Sequence, residues 1–210
     1  MKSLSLLIFQ VWLLLCYLCS FLLLAPQVMA YLSILDSGEP TSNKEMTVGF
    51  APQFIVSDSG GSHGTFLFKT GVGSGQDLMI QAGFGHIDFW LTLATRWIPI
   101  PDYENQPAVG VRFDGTLARE ASSSIGHMRL APFLSKRFLS EVGQLEPYLY
   151  IPFGLTIHEG KYDNIASLVV GSQIQVEDLL PLYFYVETGF DVRNSFTYVS
   201  IGILSTFQKN

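Results

Sequence analysis

Over residues 182–192, LYFYVETGFDV, apolar and polar positions alternate almost without fault. Leu182, Phe184, Val186, Thr188, Phe190 and Val192 fall on one side, and Tyr183, Tyr185, Glu187, Gly189 and Asp191 on the other. A period of two marks a β-strand with unlike faces. The pattern recurs along the chain and predicts ten strands: 45–56, 63–72, 77–85, 87–98, 107–118, 125–138, 144–158, 163–177, 182–192 and 195–207. The breaks, among them SDSGGS, GSGQ, REASSS and EGKYDN, hold the Gly, Asn, Asp and Ser residues that turns require. No helical period competes. Most segments could cross a tilted hydrocarbon layer, for which about 9–11 residues suffice, whereas strands of soluble domains are usually nearer five or six.

The composition of the two faces decides which one is wet. One collects Val48, Phe50, Ile80, Phe89, Leu91, Leu93, Val111, Phe113, Ile151, Phe153 and Val170, with Ile87 assigned to it and hardly a charge. The other holds Gln53, Lys69, Gln81, Asp88, Arg96, Arg112, Asp114, Arg129, Tyr148 and Glu187 among many glycines. A solvated exterior calls for Lys and Glu and few glycines, because Gly weakens a strand. A narrow barrel interior needs small residues to make room for bulky ones, and its few charges must pair. The prediction is an all-β fold: a closed, antiparallel, up-and-down transmembrane β-barrel of about ten strands, with eight as the nearest alternative. With the mature N-terminus on the periplasmic side, Phe54, Phe84, Phe89 and Phe190 form an outer aromatic girdle, and Trp97, Phe138 and Phe207 an inner one.

Residues 1–30 carry one charge, at Lys2, then a long apolar run, Pro26 and Val28-Met29-Ala30. That order predicts an export signal cleaved after Ala30, with an uncleaved anchor as the alternative. Residues 31–44 are then a periplasmic N-terminal lead, 45–207 the barrel and 208–210 a C-terminal tail. Both cysteines lie in the first segment, so disulfides do not stabilise the rest. Without Lys2, eleven basic residues face eighteen acidic ones, which argues against a nucleic-acid partner. Charged residues make up 14% of the chain, against roughly 25% in a typical soluble domain. That is little charge to cover a water-facing surface.

With its signal, its alternating strands, no cysteine beyond the signal, and a last strand SFTYVSIGILSTF ending near Phe207, the chain resembles the small Gram-negative outer-membrane β-barrels of the OmpA and OmpX class. The resemblance is one of architecture and spans nearly all of the chain after residue 30. It implies a location in the outer membrane, lipid around the barrel, and the barrel-insertion machinery as a partner during biogenesis.

Reflection about the turns pairs Arg129 with Asp114 and Arg137 with Glu146, and Arg112 is matched to Glu187; with Arg96 and Asp191 these form an expected interior polar network. Such groups either satisfy one another as a structural filling or line a narrow path for small ions. The four histidines, His63, His86, His127 and His158, are expected at the extracellular rim, with Asp58, Asp88, Asp163, Glu120 and Ser122 to Ser124 nearby. A metal site or a hydrolase could be built from such groups. The histidines lie on four hairpins, and none has a second His at ligand spacing. No metal and no cofactor is expected, and no catalytic residue is assigned. The loop RWIPIPDYENQPAVG, with three prolines, is expected to be a rigid periplasmic turn, or a docking surface for a periplasmic partner. The sequence thus supports a structural or narrow-pore outer-membrane barrel. A rim enzyme acting on lipid or peptide and a soluble, lipocalin-like exported binder are the alternatives.

Overall fold

The computed structural model describes residues 33–57, 60–120, 123–141 and 143–209. The expected signal, its cleavage after Ala30, Asp58 and Ser122 lie outside the described residues.

The alternating segments form ten strands: β1 (Glu45–Ile55), β2 (Gly61–Gly73), β3 (Gln76–Gly85), β4 (Phe89–Ile100), β5 (Ala108–Glu120), β6 (Ser123–Ser135, continued by Phe138–Ser140), β7 (Gly143–Tyr150, continued by Phe153–His158), β8 (Lys161–Val176), β9 (Leu182–Arg193) and β10 (Tyr198–Gln208). Each pairs antiparallel with its neighbour in the chain, and β10 pairs with β1, so the sheet closes into a barrel. The interruption in β7 falls at Pro152, which has no N–H to give the ladder. Carbonyls carry the pairing across it: the Ile151 N–H donates to Pro132 O (3.0 Å) and the Ser167 N–H to Pro152 O (2.9 Å).

The apolar side faces outward. In β9, Val186 is 45% exposed while Tyr185 and Glu187 on either side are buried. Phe50, Phe66, Phe84, Leu93, Leu117 and Ile203 are likewise exposed on other strands. This polarity is the reverse of what a lipocalin-like binder needs.

Inside, small residues make room for rings laid across from the next strand. Gly83 faces Trp90, Gly110 faces Phe133, Gly171 faces Tyr148 and Gly189 faces Tyr198, each as a direct cross-strand partner. A methyl group added at any of the four would lie 2.1–2.5 Å from its partner's ring.

Two features close the interior. At the upper end, where β1 turns into β2, a buried apolar cluster joins Ile55, Trp90, Ala118 and Ile125 of the wall to Ile87 and Phe196 of the turns. This corrects the strand limits assigned to β4. Residues 86–88 form a tight turn before Phe89, so Ile87 is tucked inside rather than facing out, and Asp88 is exposed rather than inside. At the lower end, residues 33–41 enter the barrel. The sequence predicts them as part of a periplasmic lead, but Ser33, Ile34, Leu35, Asp36 and Ser37 are buried in the lumen. Their polar groups read as solvated because a linker's usually are; here the wall's charges take the place of water. The chain then leaves by the lower mouth through the exposed residues 42–44 and starts β1.

Candidate functional site in the lumen

The wall presents four cations, Lys69, Arg96, Arg112 and Arg129, and four acids, Asp77, Asp114, Glu146 and Glu187, all buried. Charges taken out of water need close partners, and the luminal segment supplies several. Asp36 lies between Lys69 Nζ (3.0 Å) and an Arg96 guanidinium nitrogen (2.9 Å). Arg96 also donates to Asp77 through Nε (3.0 Å) and to Glu39 O (2.7 Å).

Backbone groups of the segment are recognised in the same way. Glu187 accepts the N–H groups of Ile34 (2.7 Å) and Leu35 (2.8 Å), and the hydroxyls of Tyr148 (2.8 Å) and Tyr198 (2.7 Å). The Ile34 carbonyl accepts from Arg112 (3.0 Å) and from the Gln81 amide (3.3 Å). Arg112 donates to Asp114 (3.2 Å), which also accepts from Arg129 (2.8 Å). Lower down, the Thr41 N–H donates to Asp77 (2.9 Å). Two glycines allow the close fit. A Cβ at Gly38 would strike Ser135 Oγ at 1.8 Å, and one at Gly71 would strike Thr41 O at 2.1 Å.

The expected pairs are met in part. Asp114 and Arg129 are cross-strand partners and form the ion pair assigned to them. Arg112 meets Asp114 rather than Glu187, whose carboxylate is already saturated by two N–H groups and two tyrosines. Arg137 sits half-exposed at the lower mouth, where it pairs with Glu39 (2.6 Å) rather than with Glu146. Glu146 is buried and accepts from Ser135 (3.1 Å). Asp191 lies in the upper part of β9 and accepts the N–H of Ser195 (2.8 Å), so it serves the β9–β10 turn.

The histidines divide. His86 is exposed on the upper turn and His158 is partly exposed at the end of β7. His63 and His127 are buried inside the wall rather than on an open rim, because the period of two carries both inward; His127 Nδ1 is 2.8 Å from Thr156 Oγ1. The His63 and His86 rings are 6.4 Å apart. Among the described residues, no group of three His, Cys, Asp or Glu comes together to hold a metal ion.

The girdle residues Phe54, Phe84 and Phe89 are exposed at the upper end, with Phe190 partly exposed, and Trp97, Phe138 and Phe207 are exposed at the lower end. The proline-rich loop between β4 and β5 is held against β6. Asp102 accepts from Lys136 Nζ and from the Arg137 N–H (2.6 Å), and Tyr103 and Gln106 exchange backbone hydrogen bonds. Partial burial opposes ionisation of Asp102, but these donors prevail and hold its pKa below the ordinary carboxylate value. The tail is held too: Lys209 reaches Asn43 O (3.1 Å) and Thr70 Oγ1 (2.5 Å).

Sequence reasoning missed Asp36, Asp77 and the role of Tyr148 and Tyr198. A signal was present: Lys69 faced inward with no acid opposite it in the strand register, which left an anion to be found elsewhere in the chain.

No family model matches the chain, and no curated protein matches it. Among solved structures, one described as "De novo design of transmembrane beta-barrels" is similar over 82% of this chain and 100% of its own, with 14% identity and a TM-score of 0.41. The class defined by the fold is the closed, ten-stranded antiparallel β-barrel with a charged, filled interior.

Proposed function

We propose that this chain is an integral β-barrel of a Gram-negative outer membrane, exported by its N-terminal segment, and that its role is structural, with a lumen closed by its own side chains and residues 33–41. The observation that carries the reading is the inverted polarity: large apolar side chains exposed around the wall, charges buried within. A water-soluble monomer rarely leaves more than a few hundred Å² of contiguous apolar surface open. In this reading lipid covers the wall, the two sets of aromatics sit at its interfaces, and the β10 end at Phe207 meets the insertion machinery. Burial of His63 and His127 inside the wall leaves little support for a rim enzyme.

Membrane fractionation and planar-bilayer recording test the proposal. Recovery in the outer-membrane fraction, a need for detergent, and stable insertion without current steps are expected. Material that stays dissolved without detergent would sink the membrane reading, and regular current steps would favour the narrow path over the structural role.

A further inference from the structure

We propose that the lower half of the lumen is a recognition site for a short acidic peptide, occupied here in cis by residues 33–41. A plain hydrophobic stopper would be held by its side chains. Ile34 and Leu35 do pack their side chains into the buried apolar cluster of the lumen, but the segment is held as well by what a peptide of any sequence offers, its backbone. Wall side chains bind five of its backbone groups: Glu187 takes the N–H groups of Ile34 and Leu35, Arg112 and Gln81 take Ile34 O, Arg96 takes Glu39 O, and Asp77 takes the Thr41 N–H. Specificity comes from the Asp36 carboxylate between Lys69 and Arg96.

Apart from Lys69, whose ion pair is with Asp36 of the segment, the wall groups that hold the segment have partners of their own. Glu187 is fixed by Tyr148 and Tyr198, Arg112 by Asp114, Asp114 also by Arg129, and Arg96 by Asp77. Side chains that keep wall partners when the segment leaves form a site with prearranged donors and acceptors, which lowers the ordering cost of binding. The chain runs from the occupant into β1 through the exposed residues 42–44, whose contacts include the Lys209 tail, so the connection can be cut without touching the luminal contacts. The inference rests on the proposed membrane barrel only for the detergent in which it is tested.

The experiment uses the full chain with a protease recognition sequence inserted between Asn43 and Lys44, folded in detergent and then cut. A labelled synthetic peptide of residues 33–42 is added in excess, and exchange is followed by fluorescence polarisation, with circular dichroism confirming an intact barrel. The native fragment is expected to be replaced by the labelled peptide. A peptide carrying Asp36→Lys should compete at least tenfold more weakly, and a barrel carrying Lys69→Glu should narrow that gap. Three results would overturn the proposal while the barrel remains folded: a fragment that never exchanges, which makes it a permanent stopper; a fragment that leaves without any peptide binding; and equal binding of the Asp36→Lys peptide. A water-soluble barrel would defeat the membrane reading and leave this exchange measurable.

Discussion

Glu187 is wholly buried and accepts four hydrogen bonds at 2.7–2.8 Å, two from the luminal segment and two from tyrosines of the wall. Replacing it with Ala strands four donors where water has little access, and each stranded donor costs about 1–3 kcal/mol if it finds no new partner. Partial rehydration of the gap reduces the sum, so Glu187→Ala should destabilise the barrel by about 3 kcal/mol. Urea titration followed by gel mobility of unheated samples measures this; Glu187→Gln, which keeps one acceptor oxygen, should fall between. Gly189 tests the same site from the other side. A methyl there would lie 2.1 Å from the Tyr198 ring, so Gly189→Ala must move the ring that donates to Glu187, at a cost of about 1–3 kcal/mol. Gly126, where an added Cβ meets nothing within 4 Å, is the control: Gly126→Ala should change stability by no more than about 0.5 kcal/mol in the same titration. The sequence placed Gly189 and the tyrosines on one face because period two does so. It could not say which ring crosses which glycine, since that depends on strand register.

The luminal segment and the β4–β5 loop are elements without a period, held by the ends of side chains from elsewhere. A cysteine pair at Gly38 and Ser135 tests the first. A Cβ at Gly38 would be 2.9 Å from Ser135 Cβ, so a shift of about 1 Å gives the usual disulfide spacing. No other cysteine follows residue 30. Oxidation should therefore cross-link Gly38→Cys with Ser135→Cys and shift non-reducing mobility, with no shift for either single variant. Ten strands were legible in the sequence because each alternates over enough residues to fix its own faces. Residues 33–41 were not, because nine mixed residues read the same whether their partners are water or a charged wall. The error with Glu187 has the same origin, since its partners include the backbone of a segment assigned outside the barrel. In the loop, the Asp102 pKa is depressed by the donors from Lys136 and Arg137. Its contribution is therefore present above the unfolded carboxylate value of about 4 and lost as pH falls through the lower folded value. The Arg137 amide resonance, which reports the 2.6 Å bond, should shift with a midpoint below about 4 and show no such step in Asp102→Asn.

At the scale of the molecule, the two closures lie in series along the lumen: residues 33–41 below, and the cluster around Ile87, Trp90 and Phe196 above. They differ in kind. The lower one combines ion pairs with the apolar packing of Ile34 and Leu35, and losing it leaves Lys69, Arg96 and Arg137 without Asp36 and Glu39. The upper one is apolar and does not depend on the lower, because its members come from β1, β4, β5, β6 and the turns beside them. An ion crossing the barrel must pass both, and one dry apolar constriction is enough to stop it. A chain lacking residues 33–41 should therefore insert into planar bilayers and still carry no current. Adding Ile87→Ser and Phe196→Ser should open a path, and its reversal potential in a salt gradient should indicate preference for anions, because the lumen has lost the charges of Asp36 and Glu39 while the wall keeps Lys69, Arg96 and Arg137, their partners. Current from the first deletion alone would mean that the upper cluster does not seal. Cation preference in the triple change would mean that Lys69 and Arg96 do not govern the lower lumen.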